Sequence, residues 1–248
     1  MSTAISRPVD WRWQGDLALG DYWACWRGRA GDATTHKHFA AQAIRAPGGA
    51  RVQLGPDRVV HGELILIDPL VPHRLEPLDD VTLHFLEPAA VGDPALSEAL
   101  DVFRRGAGVV VAEGDAAPFW TPWLRGEEGA ACTGGVALSA VLRQIDAQLP
   151  DGVLRLGTVA RQSDLSASRF RHLFAEEVGL PFRRYVLWRR LRLAVMEMGV
   201  GADATTAAHA AGFADLAHFS RTLKAMFGVT ASQTLRVPKA RGGSRPVG

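Results

Sequence analysis

The sequence predicts an α+β chain: an N-terminal antiparallel β-barrel or sandwich, two linker helices, then an all-α domain carrying two helix-turn-helix units. Three observations lead there. A helical pattern occurs twice near the C-terminal end, short strands and turn residues alternate near the N-terminal end, and the charge balance changes sign between the two halves.

The repeat is read from spacing. One copy runs Val159-Ala160, Leu165-Ser166, Phe170, Phe174, Gly179; the other runs Ala207-Ala208, Gly212-Phe213, Phe219, Leu223, Gly228. Ala160 to Ala208 and Leu165 to Phe213 are offsets of 48, whereas Phe170 to Phe219 and Gly179 to Gly228 are 49, so the second turn carries one added residue. A small residue on a first helix, a tight turn, and a second helix with apolar anchors at i and i+4 ending at Gly describe a helix-turn-helix unit; two such units can address two stretches of DNA groove.

In the N-terminal half, Ala40–Ile44, Arg51–Leu54, Glu63–Ile67 and Val81–Leu86 are short and apolar or alternating. Pro47-Gly48-Gly49, Gly55-Pro56-Asp57 and Asp68-Pro69 separate them. Beyond Pro88, helical spacing appears over Pro94–Arg105 and Val136–Leu149, the latter with a stripe of Leu138, Val141, Leu142, Ile145 and Leu149 that suits either its own domain's core or a dimer seam. Ala112–Ala131, with Phe119, Trp120 and Trp123, reads as a loop held by its aromatics. The junction is expected at Leu149-Pro150-Asp151-Gly152, because Pro ends a helix and Asp-Gly is turn chemistry. This gives a sensing and dimerisation domain over 1–150, a DNA-binding domain over 151–236, and a basic, disordered tail over 237–248.

Charge assigns the partner. Residues 151–248 hold 15 Lys+Arg against 7 Asp+Glu; the remainder of the chain's 28 and 26 leaves 13 against 19 in residues 1–150. A basic segment attracts a polyanion and an acidic one does not, so double-stranded DNA is expected at the C-terminal half. That excess is almost all arginine, which suits phosphate forks and guanine edges. No apolar run approaches the roughly 20 residues that cross a bilayer, and Met1–Pro8 lacks a signal-peptide core, so a cytoplasmic protein without a membrane partner is expected. Cys25 and Cys132 are too few for a disulfide framework. No nucleophile-base constellation, phosphate-binding glycine loop or carboxylate pair emerges, so no enzyme is expected.

The second repeat, Ala208-x3-Gly212-Phe213-x-Asp215-x3-Phe219-x-Arg221-x2-Lys224-x2-Phe227-Gly228-Val229-Thr230, resembles the signature of the AraC/XylS transcriptional regulators. Leu165-Ser166 through Phe170, Leu173, Phe174 and Gly179 is similar to that family's first helix-turn-helix. The resemblance covers about residues 153–236 and implies seven helices, with a long central one over 181–198. Ala207, Ser163 and Ala231 depart from the larger apolar residues and the proline common there.

Ser166 is placed to cap the first recognition helix and Gly179 to stop it. With Phe170, Leu173 and Phe174 inward, Ser168, Arg169, Arg171, His172 and Ala175 face out. The resemblance implies that Ser168, Arg171 and His172 approach base edges, Arg171 foremost; that Arg169 and Arg171 touch phosphate alone stays open. The second unit presents Leu216, Ala217, Ser220 and Arg221. Leu and Ala cannot pair with base donors and acceptors, so this unit should specify less sequence, with Arg221, Lys224 and His218 fixing the helix on the backbone.

In the front half His36-Lys37-His38, Gln42, Gly48, Gly62 and Leu70-Val71-Pro72-His73 resemble the two short motifs of cupin barrels, with Gln42 where metal-binding members place a carboxylate. Alternation sets His36 and His38 on one face, so a divalent metal on these and His73 is geometrically open beside a role as hydrogen-bonded lining. Trp11, Trp13, Trp23 and Trp26 suit a barrel core or the wall of an apolar ligand pocket.

Two functional readings follow. One is an AraC-type regulator whose barrel senses a small-molecule effector and alters promoter binding or contact with RNA polymerase; the resemblance implies a homodimer. The other is a metal-dependent cupin enzyme or metal sensor carrying a DNA-tethering domain.

Overall fold

A computed structural model describes residues 12–20, 22–87, 108–112, 136–152 and 154–234. The helix expected over Pro94–Arg105, most of the Ala112–Ala131 loop, Trp11, Cys132 and the tail lie outside the described residues.

Among the described residues seven strands form the N-terminal sheet: β1 (Gln14–Leu19), β2 (Trp23–Ala30), β3 (Ala41–Gln53), β4 (Val59–Ile67), β5 (Arg74–Leu75), β6 (Leu78–Leu86) and β7 (Val109–Ala112). Their order is β1-β2-β6-β3-β4-β7, with β5 beside β3, and every pairing is antiparallel. The architecture is the cupin-like barrel followed by helix-turn-helix units. Its core gathers Trp26, Ile44, Val52, Ile65, Ile67, Val81 and Leu83, the inward members of alternating strands.

One strand boundary differs from the sequence reading. Pro47-Gly48-Gly49 does not separate two strands; β3 runs through it, and its register with β4 shifts between Arg45 and Ala50. Pro47 and Gly48 are exposed and Gly49 has φ +80°, so the turn residues form a bulge within a paired strand.

Among the described residues seven helices follow, the linker helix α1 (Val136–Gln148) and six in the C-terminal region: α2 (Leu156–Gln162), α3 (Ala167–Val178), α4 (Phe182–Gly199), α5 (Ala204–Ala210), α6 (Leu216–Phe227) and α7 (Ala231–Thr234). Helices α2 and α3 make the first unit, α5 and α6 the second, and α4 joins them. The stripe on α1 packs against the first unit: Leu142, Ile145 and Leu149 share a core with Val159, Phe170, Phe174 and Tyr185. Those three side chains are therefore unavailable for a dimer seam.

The two turns are built alike. Leu165 N–H donates to the Ala160 carbonyl at 3.0 Å, and Phe213 N–H donates to the Ala208 carbonyl at 2.9 Å. Each turn has a left-handed residue, Asp164 (φ 54°) in the first and Gly212 (φ 76°) in the second. Ala207 and Ala208 are fully buried beside Leu191, Phe213 and Phe219, so small residues there let the helices of the second unit approach closely.

Glu87, directly after β6, meets Arg189 of α4 through both carboxylate oxygens, at 2.9 and 3.0 Å. The same guanidinium donates to Asp146 of α1 at 2.8 and 2.7 Å and lies 5.1 Å from the centre of the Tyr22 ring. Burial pushes the Glu87 carboxyl up while Arg189 and Arg192 pull it down; the two-pronged contact is that of a carboxylate. Barrel, linker helix α1 and the central helix α4 thus meet at one buried cation.

Candidate functional site

Helix α3 starts where its sequence says it should. The Ser166 hydroxyl accepts from the Arg169 N–H at 3.2 Å, and Gly179 closes the helix in the left-handed conformation, φ 78°. Phe170 and Phe174 are buried, Leu173 and Ala175 are half-buried, and Ser168, Arg169, Arg171 and His172 are exposed. In α6 the Asp215 carboxylate accepts from the His218 N–H at 2.6 Å and Gly228 ends the helix at φ 69°. Leu216, Ala217, Arg221 and Lys224 are exposed and Ser220 is half-buried. His218 is half-buried too, its ring edge-on to Phe213 at 5.1 Å, which ties it to the turn as well as to the outer face.

A cavity of about 550 Å³ lies between the barrel and helices α4 and α6. On one side are Leu17, Trp23, Trp26, Leu83 and Phe85 from the sheet, with Trp13 just before β1; on the other are Trp188, Leu191, Arg192, Val195 and Met198 from α4, with Phe227 from α6. Trp26 belongs to the barrel core and to the cavity wall at once, so the two roles open to the tryptophans are not alternatives. Arg192 donates to the Gly20 carbonyl, holding the β1–β2 connection against α4.

His36, His38 and His73 come together, and His36 and His73 line the cavity. The backbones of His36 and His73 pair as a bridge with N···O distances of 3.0 and 2.9 Å. Each Nδ1 stands against a main-chain carbonyl: His36 on Thr34 at 2.8 Å, His38 on Ala40 at 2.8 Å, His73 on Val71 at 2.9 Å. Gln42 Oε1 lies 3.3 Å from His38 Nε2. Burial pushes His38 well below the usual imidazole range, helped by His73 and His36; burial and His36 take His73 down to about 4, and burial lowers His36. All three imidazoles are neutral near pH 7.

This cluster touches the second helix-turn-helix unit. His38 stacks on Phe227 at 5.4 Å, and Phe227 stacks on Trp188 at 5.7 Å. The Thr34 N–H and hydroxyl donate to the Gly228 carbonyl at 2.9 and 3.3 Å. The sequence flagged Gly228 as a helix stop and Phe227 as part of a motif, but nothing local tied either to Thr34 or His38. The α4 wall of the cavity was likewise read only as a connecting helix.

Residues 159–236 match the helix-turn-helix domain family. The C-terminal domain is of the AraC type. Transcriptional activator RhrA of Rhizobium meliloti (strain 1021) is 29% identical over 106 residues, 42% of this chain and 33% of that protein. The chain thus spans about a third of the length of the curated relative it matches. ToxT of Vibrio cholerae bound to (E)-4-(8-methylnaphthalen-1-yl)but-3-enoic acid superposes with TM-score 0.54 at 12% identity, covering 87% of this chain and 98% of that one. Unsaturated fatty acid-bound ToxT gives 0.53 at 12%, covering 87% and 95%. At that identity the likeness is one of fold, and it extends from the barrel through the AraC-type domain.

Proposed function

We propose that this chain is a DNA-binding transcriptional regulator whose barrel takes a small effector and passes its presence to the AraC-type domain. The observation that carries the reading is the shared cavity: sheet residues form one wall and α4, the helix joining the two DNA-reading units, forms another. A molecule there touches both domains, so its affinity depends on how they are seated, and that difference shifts operator occupancy. A barrel enzyme tethered to DNA would not require α4 to wall its ligand site, which favours the regulator.

The cavity wall is mostly aromatic and aliphatic, with charge from Arg192 and Glu87. This suits an apolar effector with an anionic end, the class to which both ToxT ligands belong. DNA meets the exposed faces of α3 and α6: Arg171, Ser168 and His172 read base edges, and Arg169, Arg221, Lys224 and His218 hold phosphates beside Leu216 and Ala217. In this reading the protein works in the cytoplasm as a homodimer, contacts RNA polymerase, and has its domain division near residue 150.

The test begins with selection of duplexes from a random pool by the full chain, followed by affinity measurements on the winner with and without an unsaturated fatty acid. Sequence-selective binding that changes with the fatty acid supports the proposal. Binding to every duplex alike, at low salt as well as high, would refute the regulator reading.

A further inference from the structure

The cavity does not treat the two reading units alike. Among the described residues, its wall takes the α4–α5 connection over 200–203, Leu223 and Phe227 of α6, and Val229 just beyond that helix. None of the described wall residues belongs to α2 or α3. Leu223 is the second apolar anchor of α6, and it shares a core with Leu191, Phe219 and Val229 that also takes Ala33 from the barrel. The second unit's own core is thus one wall of the cavity. A molecule entering there displaces or orders the side chains on which α6 rests.

The seats of the two units differ as well. Phe170 and Phe174 of α3 meet Phe182 and Tyr185, in the first half of α4, with ring centres 5.4 to 5.9 Å apart, and Leu142 and Ile145 of α1 close that core. Arg189 then pins this part of α4 to Glu87 and Asp146 through charge-assisted hydrogen bonds of 2.7 to 3.0 Å. Between the barrel and the second unit the described bonds are neutral. The Thr34 N–H and hydroxyl donate to the Gly228 carbonyl, and Gln233 Nε2 donates to the Asp32 carbonyl at 3.4 Å. Neutral bonds are roughly half as strong as charge-assisted ones, so the second unit is the one that yields when the cavity changes.

We propose that occupancy of the cavity is read by the second helix-turn-helix unit alone, through α6 and the α4–α5 connection, while the first unit grips DNA equally in both states. The inference rests on the regulator reading and says which reader the effector moves. Arg221 and Lys224 stand on the exposed face of the helix that shifts. The effector therefore alters backbone grip and the spacing of the two readers, and not the bases that Arg171 selects. The first unit marks the operator; the second adds or withholds affinity.

Full-length protein is footprinted with hydroxyl radicals on its selected duplex, with and without oleic acid, an unsaturated fatty acid. Arg221→Ala together with Lys224→Ala identifies the half of the footprint that belongs to α6. Oleic acid should change occupancy of that half about fivefold or more and of the other half less than about twofold. Equal changes over both halves, or none, overturn the proposal, while sequence-selective binding keeps the regulator reading standing. Thr34→Pro removes both donors to the Gly228 carbonyl and Thr34→Ala removes the hydroxyl alone. Without oleic acid each should weaken the α6 half only, the proline more; loss in the α3 half as well, or in neither, overturns the proposal. Hydrogen exchange needs no DNA: oleic acid should change amide protection in α5 and α6 beyond any change in α3, and equal changes or none count against the proposal in the same way. Protein that shows the selective change in α6 but ignores every duplex refutes the regulator reading and leaves the coupling in place.

Discussion

Gly212 and Asp164 hold corresponding positions in the two turns, and both adopt left-handed backbone. A Cβ on Gly212 would lie 2.7 Å from the Leu149 carbonyl oxygen, so Gly212→Ala combines backbone strain with a main-chain clash. We expect a loss of about 2 kcal/mol or more in urea unfolding. Asp164→Gly removes the strain but adds unfolded-state freedom, and the result should lie within roughly 0.5 kcal/mol of wild type. At Arg189, replacement by Met leaves the Glu87 carboxylate buried without its two-pronged partner, at a cost of about 3 to 5 kcal/mol. A loss below about 1 kcal/mol would mean that the domains are held together elsewhere.

Elements repeat this logic on a larger scale. Helices α3 and α6 have a side-chain cap at the start and a left-handed glycine at the end; Ser166, Gly179 and Gly228 are read from the sequence because caps and stops act within one turn of the chain, whereas Asp215 stands there only as part of a motif. The difference between the two helices lies on their exposed faces. Arg171→Ala should reduce preference among duplexes, whereas Lys224→Ala should weaken all duplexes alike and lower the slope of log affinity against log salt by about 1. Equal, uniform losses in both would remove the base-reading role from Arg171. Strand β3 was less legible. Pro47-Gly48-Gly49 is turn chemistry, yet pairing with β4 and β6 on either flank carries the strand past it as a bulge, since neighbours decide strand continuity.

For the whole molecule, the cavity couples the parts. Trp13, Trp23, Trp26 and Trp188 face it, so effector entry should change intrinsic tryptophan fluorescence. Val195→Trp, which places a large ring into the cavity from α4, is expected to abolish that change and the effector's stabilisation of the fold while leaving DNA binding in place. Loss of DNA binding in that variant would show that α4 cannot tolerate the ring, and retained effector response would place the effector elsewhere.

What the sequence determined alone was whatever local spacing encodes: two helix-turn-helix units, the Ser166 cap and the glycine stops, the buried aromatic anchors, the basic character of that half, and His36 and His38 on one face of their strand. Tertiary structure decided which faces meet. The α1 stripe chose the first reading unit as its partner, α4 became a cavity wall, and the histidine segment closed on the end of α6. The Glu87–Arg189 pair spans 102 residues and the Thr34–Gly228 contact 194. Such contacts depend on how whole elements pack, and no periodicity within a helix or strand records which distant surface it will cover.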